Sequence, residues 1–206
     1  IGHQCELTGG FSSWGYWHDK CAKAAVKIIN EGGGIAGRKV ELATEDTESN
    51  PAAGSRKLRS LIERRNASFV VGSVHSGIML ASLPIATELK IPYFSAGEAT
   101  EATGSAGSRY SFRTGTDTYA LAAAGAPWAF KNLGKTWTMI FPDYAWGHSH
   151  HEEHKKIIEK LGGKVNPPIA VPSGTKDLLP YLSAIPENTE VLFSVFFGAL
   201  SVAFFT

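Results

Sequence analysis

A histidine-rich stretch, HSHHEEH, is the part of this chain whose residue types come nearest to those of a metal site. His150 and His154 are four positions apart, a spacing that places both rings on one face of a helix. Zinc proteases carry HExxH, whereas this stretch reads HEEH followed by Lys155, so the second histidine is misplaced by one residue. The many neighbouring charges favour a solvated helix face, with adventitious metal binding as the alternative. We therefore predict no metal site.

Two serines and a histidine lie together in the stretch GSVHSG, where a nucleophile and a base could meet. A nucleophile elbow requires GxSxG, which this stretch lacks, and no acid can be assigned as the third member of a triad. We therefore predict that the chain is not an enzyme. Ser76 instead suits the N-cap of the helix that follows, where a cap hydroxyl and the free helix amides behind it can bind a carboxylate.

The glycine-rich stretch TGGFSSWGYW, residues 8–17, could form a phosphate-binding loop between a strand and a helix. Its Gly9, Gly10 and Gly15 fit neither the dinucleotide-binding pattern nor the Walker pattern. Trp14 is also too bulky for a phosphate cradle. We predict no nucleotide and no other cofactor.

Tryptophans stand beside glycines at two predicted turns. Trp14 precedes Gly15 and Trp146 precedes Gly147, each just after a predicted strand. Such aromatic side chains either belong to the core or stack on apolar or aromatic ligands. The turn context favours ligand contact for both tryptophans.

The composition excludes several classes of function. A chain of 206 residues is long enough to bury a core. Its residues are 43% hydrophobic and 19% charged. A net charge of +1, from 20 basic and 19 acidic residues, offers no electrostatic footprint for nucleic acid or an anionic membrane. No apolar run approaches the ~20 residues needed to span a bilayer. Cys5 and Cys21 are interpreted as two buried thiols, with a disulfide in an oxidising compartment as the alternative.

Strand-like runs alternate with helical periodicity along the chain, a pattern typical of parallel sheets covered by helices. Strands are predicted at residues 1–7, 38–46, 68–72, 91–96, 136–142, 164–171 and 190–197. Helices are predicted at residues 16–30, 50–65, 76–90, 118–133, 147–163 and 176–185, and residues 191–205 are expected to be a buried strand leading to a buried helix. The first helix is predicted to be amphipathic, with Trp17, Cys21 and Ile28 on its apolar face. An irregular segment at residues 97–116 separates two α/β lobes, predicted at residues 1–116 and 117–206.

Parallel sheets bind ligands in the crevice beyond the carboxyl ends of their strands. The predicted strand ends that are rich in Gly, Ser, Thr and aromatic residues are residues 8–14, 72–76, 95–100 and 142–146. Their similar composition predicts that the ligand site lies there.

Several stretches together resemble the periplasmic substrate-binding proteins of branched-chain amino acid ABC transporters, the leucine/isoleucine/valine-binding family. The stretches are LTGGFSSWG, IINEGGGIAGRKVELATEDTESNPAAG, VGSVHSGIMLASLPIATELKIPYFSAGEAT, YSFRTGTD, FPDYAWG and SGTKDLLPYLSAI. They follow the family's order and spacing across nearly the whole chain. The resemblance implies the type I periplasmic binding protein fold, with two Rossmann-like lobes that close over a small solute and present it to an ABC transporter membrane permease. It implies a periplasmic or extracytoplasmic location and no chemistry.

The resemblance also implies which residues bind the solute. In the family, a serine at the position of Ser76 donates to the ligand carboxylate, and groups matching Gly97 and Ala99 assist it. Aromatic residues at the positions of Trp14 and Trp146 cover the ligand from the two lobes.

This chain departs from the family at several positions. Ala99 stands where amino-acid binders carry threonine, Thr100 is one step away, and Glu98 occupies a position that is usually small. The family's acid after RT is matched only by Asp117, one residue out of register. We add Glu98 and Thr100 to the predicted ligand-binding residues. We predict a small carboxylate-bearing solute, either a branched-chain amino acid or an aromatic acid, in the interlobe cleft.

Family members are appreciably longer than this chain, so the resemblance implies that the second lobe is truncated. The same fold serves as the ligand-sensing ectodomain of signalling receptors, which is the alternative function.

Overall fold

A computed structural model describes the backbone of residues 1–206 and the side chains of all of them except residues 198 and 199. The chain divides into two compact units, Ile1–Gly115 and Thr116–Thr206. The lobe boundary predicted from the sequence lies one residue later. Each unit holds a parallel sheet flanked by helices, so the predicted α/β class is confirmed.

The first unit is built on a five-stranded parallel sheet in the order β2-β1-β3-β4-β5. Its elements are β1 (Gly2–Cys5), α1 (Ser12–Glu31), β2 (Ala43–Asp46), α2 (Pro51–Arg59), β3 (Val70–Val71), α3 (Ser76–Glu88), β4 (Tyr93–Ser95) and β5 (Ser111–Arg113). Strand β5 falls in the segment predicted to be irregular, because three residues are too few to show a sequence period. Asn50 caps α2 by accepting from the amides of Ala52 and Ala53 at 2.9 and 3.0 Å.

The interior of this unit combines an apolar core with a buried polar network. Leu58, Leu61 and Met79 are among the fully buried members of the core. Gln4 on β1 donates to the Gly54 carbonyl at 2.7 Å and accepts from the Tyr93 hydroxyl at 2.5 Å. These bonds join β1, α2 and β4.

Helix α1 exposes several residues of its predicted apolar face. Trp17 and Ile28 are 63% and 68% exposed, and Cys21 is exposed as well. The opposite face lies on the sheet, where Gly15 is buried. Val26 and Ile29 of the same helix are partly buried, so only part of the apolar surface of α1 is exposed to solvent.

The second unit has a parallel sheet in which β6 pairs with β7, β8 and β9. Its elements are α4 (Thr118–Asn132), β6 (Thr136–Pro142), α5 (Ala145–Lys160), β7 (Lys164–Val165), β8 (Ile169–Val171), α6 (Leu179–Leu182), β9 (Val191–Ser194) and α7 (Gly198–Phe205). The strand predicted at residues 164–171 is interrupted at Pro167 and Pro168, which have no N–H to donate to a ladder. Helix α7 was predicted to be buried, and this holds for one face only: Leu200 and Phe204 pack against the core, whereas Val202 and Phe205 are exposed.

Three of the four histidines of α5 are buried, so the prediction of a solvated helix face was wrong for them, whereas His148 is exposed as predicted. His150, His151 and His154 are all less than 6% exposed. Aromatic rings cover them: His154 lies 4.2 Å from Phe193 and His151 lies 5.6 Å from Phe141, measured between ring centroids. The sequence shows that this helix carries many charged residues, but it does not show which face of the helix packs against the sheet.

Both cysteines are free thiols, with Cys5 buried and Cys21 exposed, so the expectation of two buried thiols holds only for Cys5 and the alternative of a disulfide was wrong. Among the described residues, no helix is both long and apolar enough to cross a membrane. No group of three or more potential metal ligands converges in the described part of the chain.

Candidate functional site

The loop from β1 to α1 is held by the side chain of Asp46 and is shaped by Gly9. Asp46 accepts from the Thr8 hydroxyl at 2.7 Å and from the Thr8 and Leu7 amides at 3.2 and 2.9 Å. Burial opposes ionisation of Asp46, but these bonds together lower its pKa below the ordinary value. Gly9 has a φ of +83°, and a Cβ there would meet the Glu48 carbonyl at 2.7 Å. The glycine is therefore required for the shape of the turn.

Gly15 lies where α1 comes closest to the end of β1. A Cβ on Gly15 would lie 1.9 Å from the Glu6 carbonyl oxygen, so only glycine lets α1 lie this close to the end of β1. Trp14, one residue earlier, is 49% exposed at the same helix start. The half-exposed indole can offer a face to a ligand, and its binding role stays a prediction.

The helix after β3 is capped by His75, and the expectation that Ser76 is the cap was wrong. His75 Nδ1 accepts from the amides of Gly77 and Ile78 at 3.0 and 3.3 Å. Burial lowers the pKa of His75 to about 4, so the ring is neutral at pH 7 and Nδ1 can accept. The amides expected to bind a carboxylate behind Ser76 are thus already engaged by His75.

The Ser76 hydroxyl meets the loop after β4, and this brings together several of the predicted residues. Its Oγ accepts from the amides of Glu98 and Ala99 at 3.2 and 3.3 Å. Ser76 is 1% exposed and Ala99 is fully buried, whereas Glu98 and Thr100 are half-buried. Because Oγ is the acceptor in both bonds, the Ser76 proton remains available to donate in another direction.

The loop after β4 is also held by contacts with α3 and β5. A Cβ on Gly97 would meet Met79 Sδ at 2.8 Å, so glycine permits close packing on α3. Arg113 of β5 donates to the Ala99 carbonyl at 3.1 Å and to the Thr103 hydroxyl at 2.5 Å. The two amides beside Ser76 are therefore held in place by neighbouring elements.

Two residues near these loops were not predicted from the sequence. Glu6 follows β1, is fully buried, and its Oε1 accepts a hydrogen bond from the Ser73 hydroxyl. Phe11 packs on His75 with 4.6 Å between ring centroids, which links the β1–α1 loop to the start of α3. The signal for Glu6 was an acid inside the otherwise strand-like run IGHQCEL.

In the second unit, Trp146 packs against other aromatic rings. Its ring centroid lies 4.9 Å from that of His150 and 5.6 Å from that of Phe197. Trp146 is half-buried, and its role as a ligand contact stays a prediction. Asp117 serves as the N-cap of α4, accepting from the Ala120 amide at 2.6 Å.

Two cavities lie away from the strand ends named above. A cleft of about 900 Å³ opens at the amino end of the first sheet, beside Ile1, Lys39 and Arg65. An apolar groove of about 470 Å³ runs between α4, α5 and β9, where His150 contributes to the wall. Neither cavity includes a residue that was predicted to bind the solute.

The whole chain, residues 1–206, matches the periplasmic binding protein family, and the chain belongs to that family. A curated relative is the Leu/Ile/Val-binding protein homolog 1 of Brucella abortus (strain 2308), 26% identical over 189 residues, which are 91% of this chain and 50% of the relative. This chain therefore spans about half the length of the curated relatives that it matches.

Two solved structures of ABC transporter solute-binding proteins share the fold. The one from Rhodopseudomonas palustris BisB5, in complex with 3,4-dihydroxybenzoic acid, is 26% identical with a TM-score of 0.80, covering 94% of this chain and 53% of its own. The one from R. palustris in complex with benzoate is 23% identical with a TM-score of 0.85, covering 98% of this chain and 56% of its own. The type I periplasmic binding protein fold inferred from the sequence is confirmed.

Proposed function

We propose that this chain is part of a solute-binding receptor of an ABC importer, which binds a small carboxylate-bearing solute and performs no chemistry. The observation that carries the proposal is the meeting of the Ser76 hydroxyl with the amides of Glu98 and Ala99, within 3.2 to 3.3 Å at the carboxyl ends of β3 and β4. A hydroxyl and two backbone amides are the donors that hold carboxylates in proteins. The two amides donate to the Ser76 hydroxyl oxygen, and a carboxylate would take the place of that internal arrangement.

The proposed solute is either a branched-chain amino acid or an aromatic acid. The name of the Brucella relative favours the first, and the dihydroxybenzoic acid bound to the BisB5 protein favours the second. The half-exposed indole of Trp14 suits a flat ring, because aromatic stacking adds to the free energy of burial. The Glu98 carboxylate would repel the solute's acid group but attract the ammonium of an amino acid.

Membership of the periplasmic binding protein family supports a proposal about the partner and the location. We propose that the loaded receptor docks on an ABC transporter membrane permease outside the cytoplasm. Trp146 is proposed to contribute from the second unit.

A thermal-shift panel tests this function and separates the two solute classes. Leucine, isoleucine and valine are compared with benzoate and hydroxylated benzoates, each against this chain and its Ser76→Ala variant. A solute present at 100 times its dissociation constant adds about 2.7 kcal/mol to the free energy of unfolding.

Stabilisation by one class of solute, reduced in Ser76→Ala, supports the proposal and identifies the class. Stabilisation of equal size in Ser76→Ala would place the solute elsewhere on the protein. No stabilisation by any member of either class would contradict the proposed function.

A further inference from the structure

Glu6 lies beneath the proposed solute site without touching solvent. It follows β1, which is flanked by β2 and β3 in the sheet, and its side chain is fully buried. Its Oε1 accepts from the Ser73 hydroxyl and lies 3.4 Å from the His75 amide nitrogen. Its Oε2 is buried with no hydrogen-bond partner among the described residues.

This environment favours the neutral acid. No ion pair to Glu6 occurs in the part of the chain that the structure describes, and the charge that acts on it is the carboxylate of Asp46, which has the same sign. A buried carboxylate with no cation and one oxygen without a donor is strongly disfavoured. Burial raises the pKa of Glu6 to about 7, and it outweighs the hydrogen bonds from the backbone amides of Glu6, His75 and Val74, which act in the opposite direction.

The carboxyl group is connected to Ser76 through a short series of bonds. Ser73 donates to Glu6, and the Ser73 oxygen accepts from the His75 amide at 3.0 Å. His75 caps α3, whose first residue is Ser76. When Glu6 ionises, its unpartnered oxygen needs water, and water reaches it only if the surrounding loops open.

We propose that Glu6 is a positioning residue of the solute site: as a neutral acid it keeps the loop of residues 72–75 closed and Ser76 in place, and its ionisation opens this loop and weakens solute binding. The inference rests on the proposed function, because it assumes that the solute binds at Ser76. Glu6 acts through Ser73 and His75 and does not contact the solute.

The groups packed around Glu6 do not change charge between pH 5.5 and 8.5. Burial raises the pKa of Cys5 to about 12 and raises that of Tyr93, so both stay neutral. His75 is neutral because burial lowers its pKa to about 4. From α1, the residue against the Glu6 backbone is the uncharged Gly15.

Asp46, on β2, stays ionised over the same interval. Its pKa is lowered because its hydrogen bonds outweigh the opposing effect of burial. A pH-dependent change in the loop is therefore assigned to Glu6.

The experiment measures amide hydrogen exchange in residues 73–78 at pH 5.5 and 8.5, corrected for the intrinsic pH dependence of exchange. The wild type is compared with Glu6→Gln, which stays neutral, and with the exposed control Glu41→Gln. We expect protection to fall roughly tenfold at pH 8.5 in the wild type and in Glu41→Gln, and to stay constant in Glu6→Gln. The dissociation constant of the solute found by the thermal-shift panel should rise by about the same factor in the same two proteins.

Ser73→Ala is a second variant that removes the bond while leaving Glu6 in place. We expect its loop to exchange rapidly at both pH values. If Glu6→Gln does not fold, constant fast exchange in Ser73→Ala still supports the proposal, and wild-type behaviour in Ser73→Ala contradicts it.

The outcomes that overturn the inference differ from failure of the proposed function. The inference is wrong if Glu6→Gln keeps the pH dependence of the wild type, or if the loop opens while the solute affinity stays constant. If no solute binds at either pH, the proposed function fails, and the exchange data alone decide whether Glu6 controls the loop.

Discussion

The hydroxyl oxygen of Ser76 lies 3.2 Å from the amide nitrogen of Glu98, although the two residues are 22 positions apart in the chain. This contact joins the start of α3 to the loop after β4. It brings a hydroxyl and backbone amides together at the carboxyl edge of the first sheet, where α/β proteins bind their ligands.

Replacing Ser76 by alanine should weaken solute binding by about 1 to 3 kcal/mol, because the charged carboxylate of the solute loses a hydroxyl donor. Isothermal titration calorimetry with the solute found by the thermal-shift panel measures the loss. Ser105→Ala, at an exposed serine of the same unit, is the control and should bind as the wild type does. An unchanged affinity in Ser76→Ala would remove this residue from the site.

Replacing Trp14 by alanine should cost about 1 kcal/mol more for an aromatic acid than for leucine, since stacking is lost in addition to apolar contact. The matched control is Trp17→Ala, which removes a more exposed indole from the same helix. Competition binding of both solutes to each variant gives the difference. Equal losses for the two solutes would mean that Trp14 only fills space.

Replacing Gly15 by alanine should lower the free energy of unfolding by about 3 kcal/mol or more, because its Cβ would lie 1.9 Å from the Glu6 carbonyl oxygen. Gly10→Ala is the control, since a Cβ there meets nothing within 4 Å. Urea unfolding of the two variants makes the comparison. Similar stabilities would show that α1 can move away from β1 at little cost.

Replacing His150 by phenylalanine should raise stability at pH 7 by about 1 kcal/mol and reduce the sensitivity to acid. Both ring nitrogens of His150 are buried without a hydrogen-bond partner among the described residues, so phenylalanine keeps the ring contacts and removes polar atoms with nothing to bind. The result is measured by urea unfolding between pH 4 and 8.

The sign of the acid effect follows from the pKa of His150, which burial lowers from 6.5 to about 4. Between these values the unfolded chain binds a proton that the folded chain does not, so stability is lost as the pH falls from 6.5 to 4, by up to about 3 kcal/mol for this residue. His148→Phe, at an exposed position on the same helix, should leave that acid sensitivity in place. A His150→Phe profile parallel to that of the wild type would contradict the prediction.

The order of elements could be predicted from the sequence because hydrophobic period and capping residues act over short distances. Asn50 and Pro51 predicted the start of α2, and the alternation of strands and helices predicted the parallel sheets. The same alternation placed residues 72–76 and 95–100 after neighbouring strands, and β3 does pair with β4. The sequence positions of the loops that form the candidate site in the first unit could therefore be predicted.

Which atoms meet in those loops was decided only by the tertiary structure. Nothing local distinguishes His75 from Ser76 as the cap of α3, because the choice depends on how the chain leaves β3. The burial of His150 and the exposure of Trp17 depend on which helix face the sheet covers, and a helical period does not specify that face. Glu6 is an ordinary acid in the sequence, and it becomes a buried group paired with Ser73 only when β1 and β3 lie side by side.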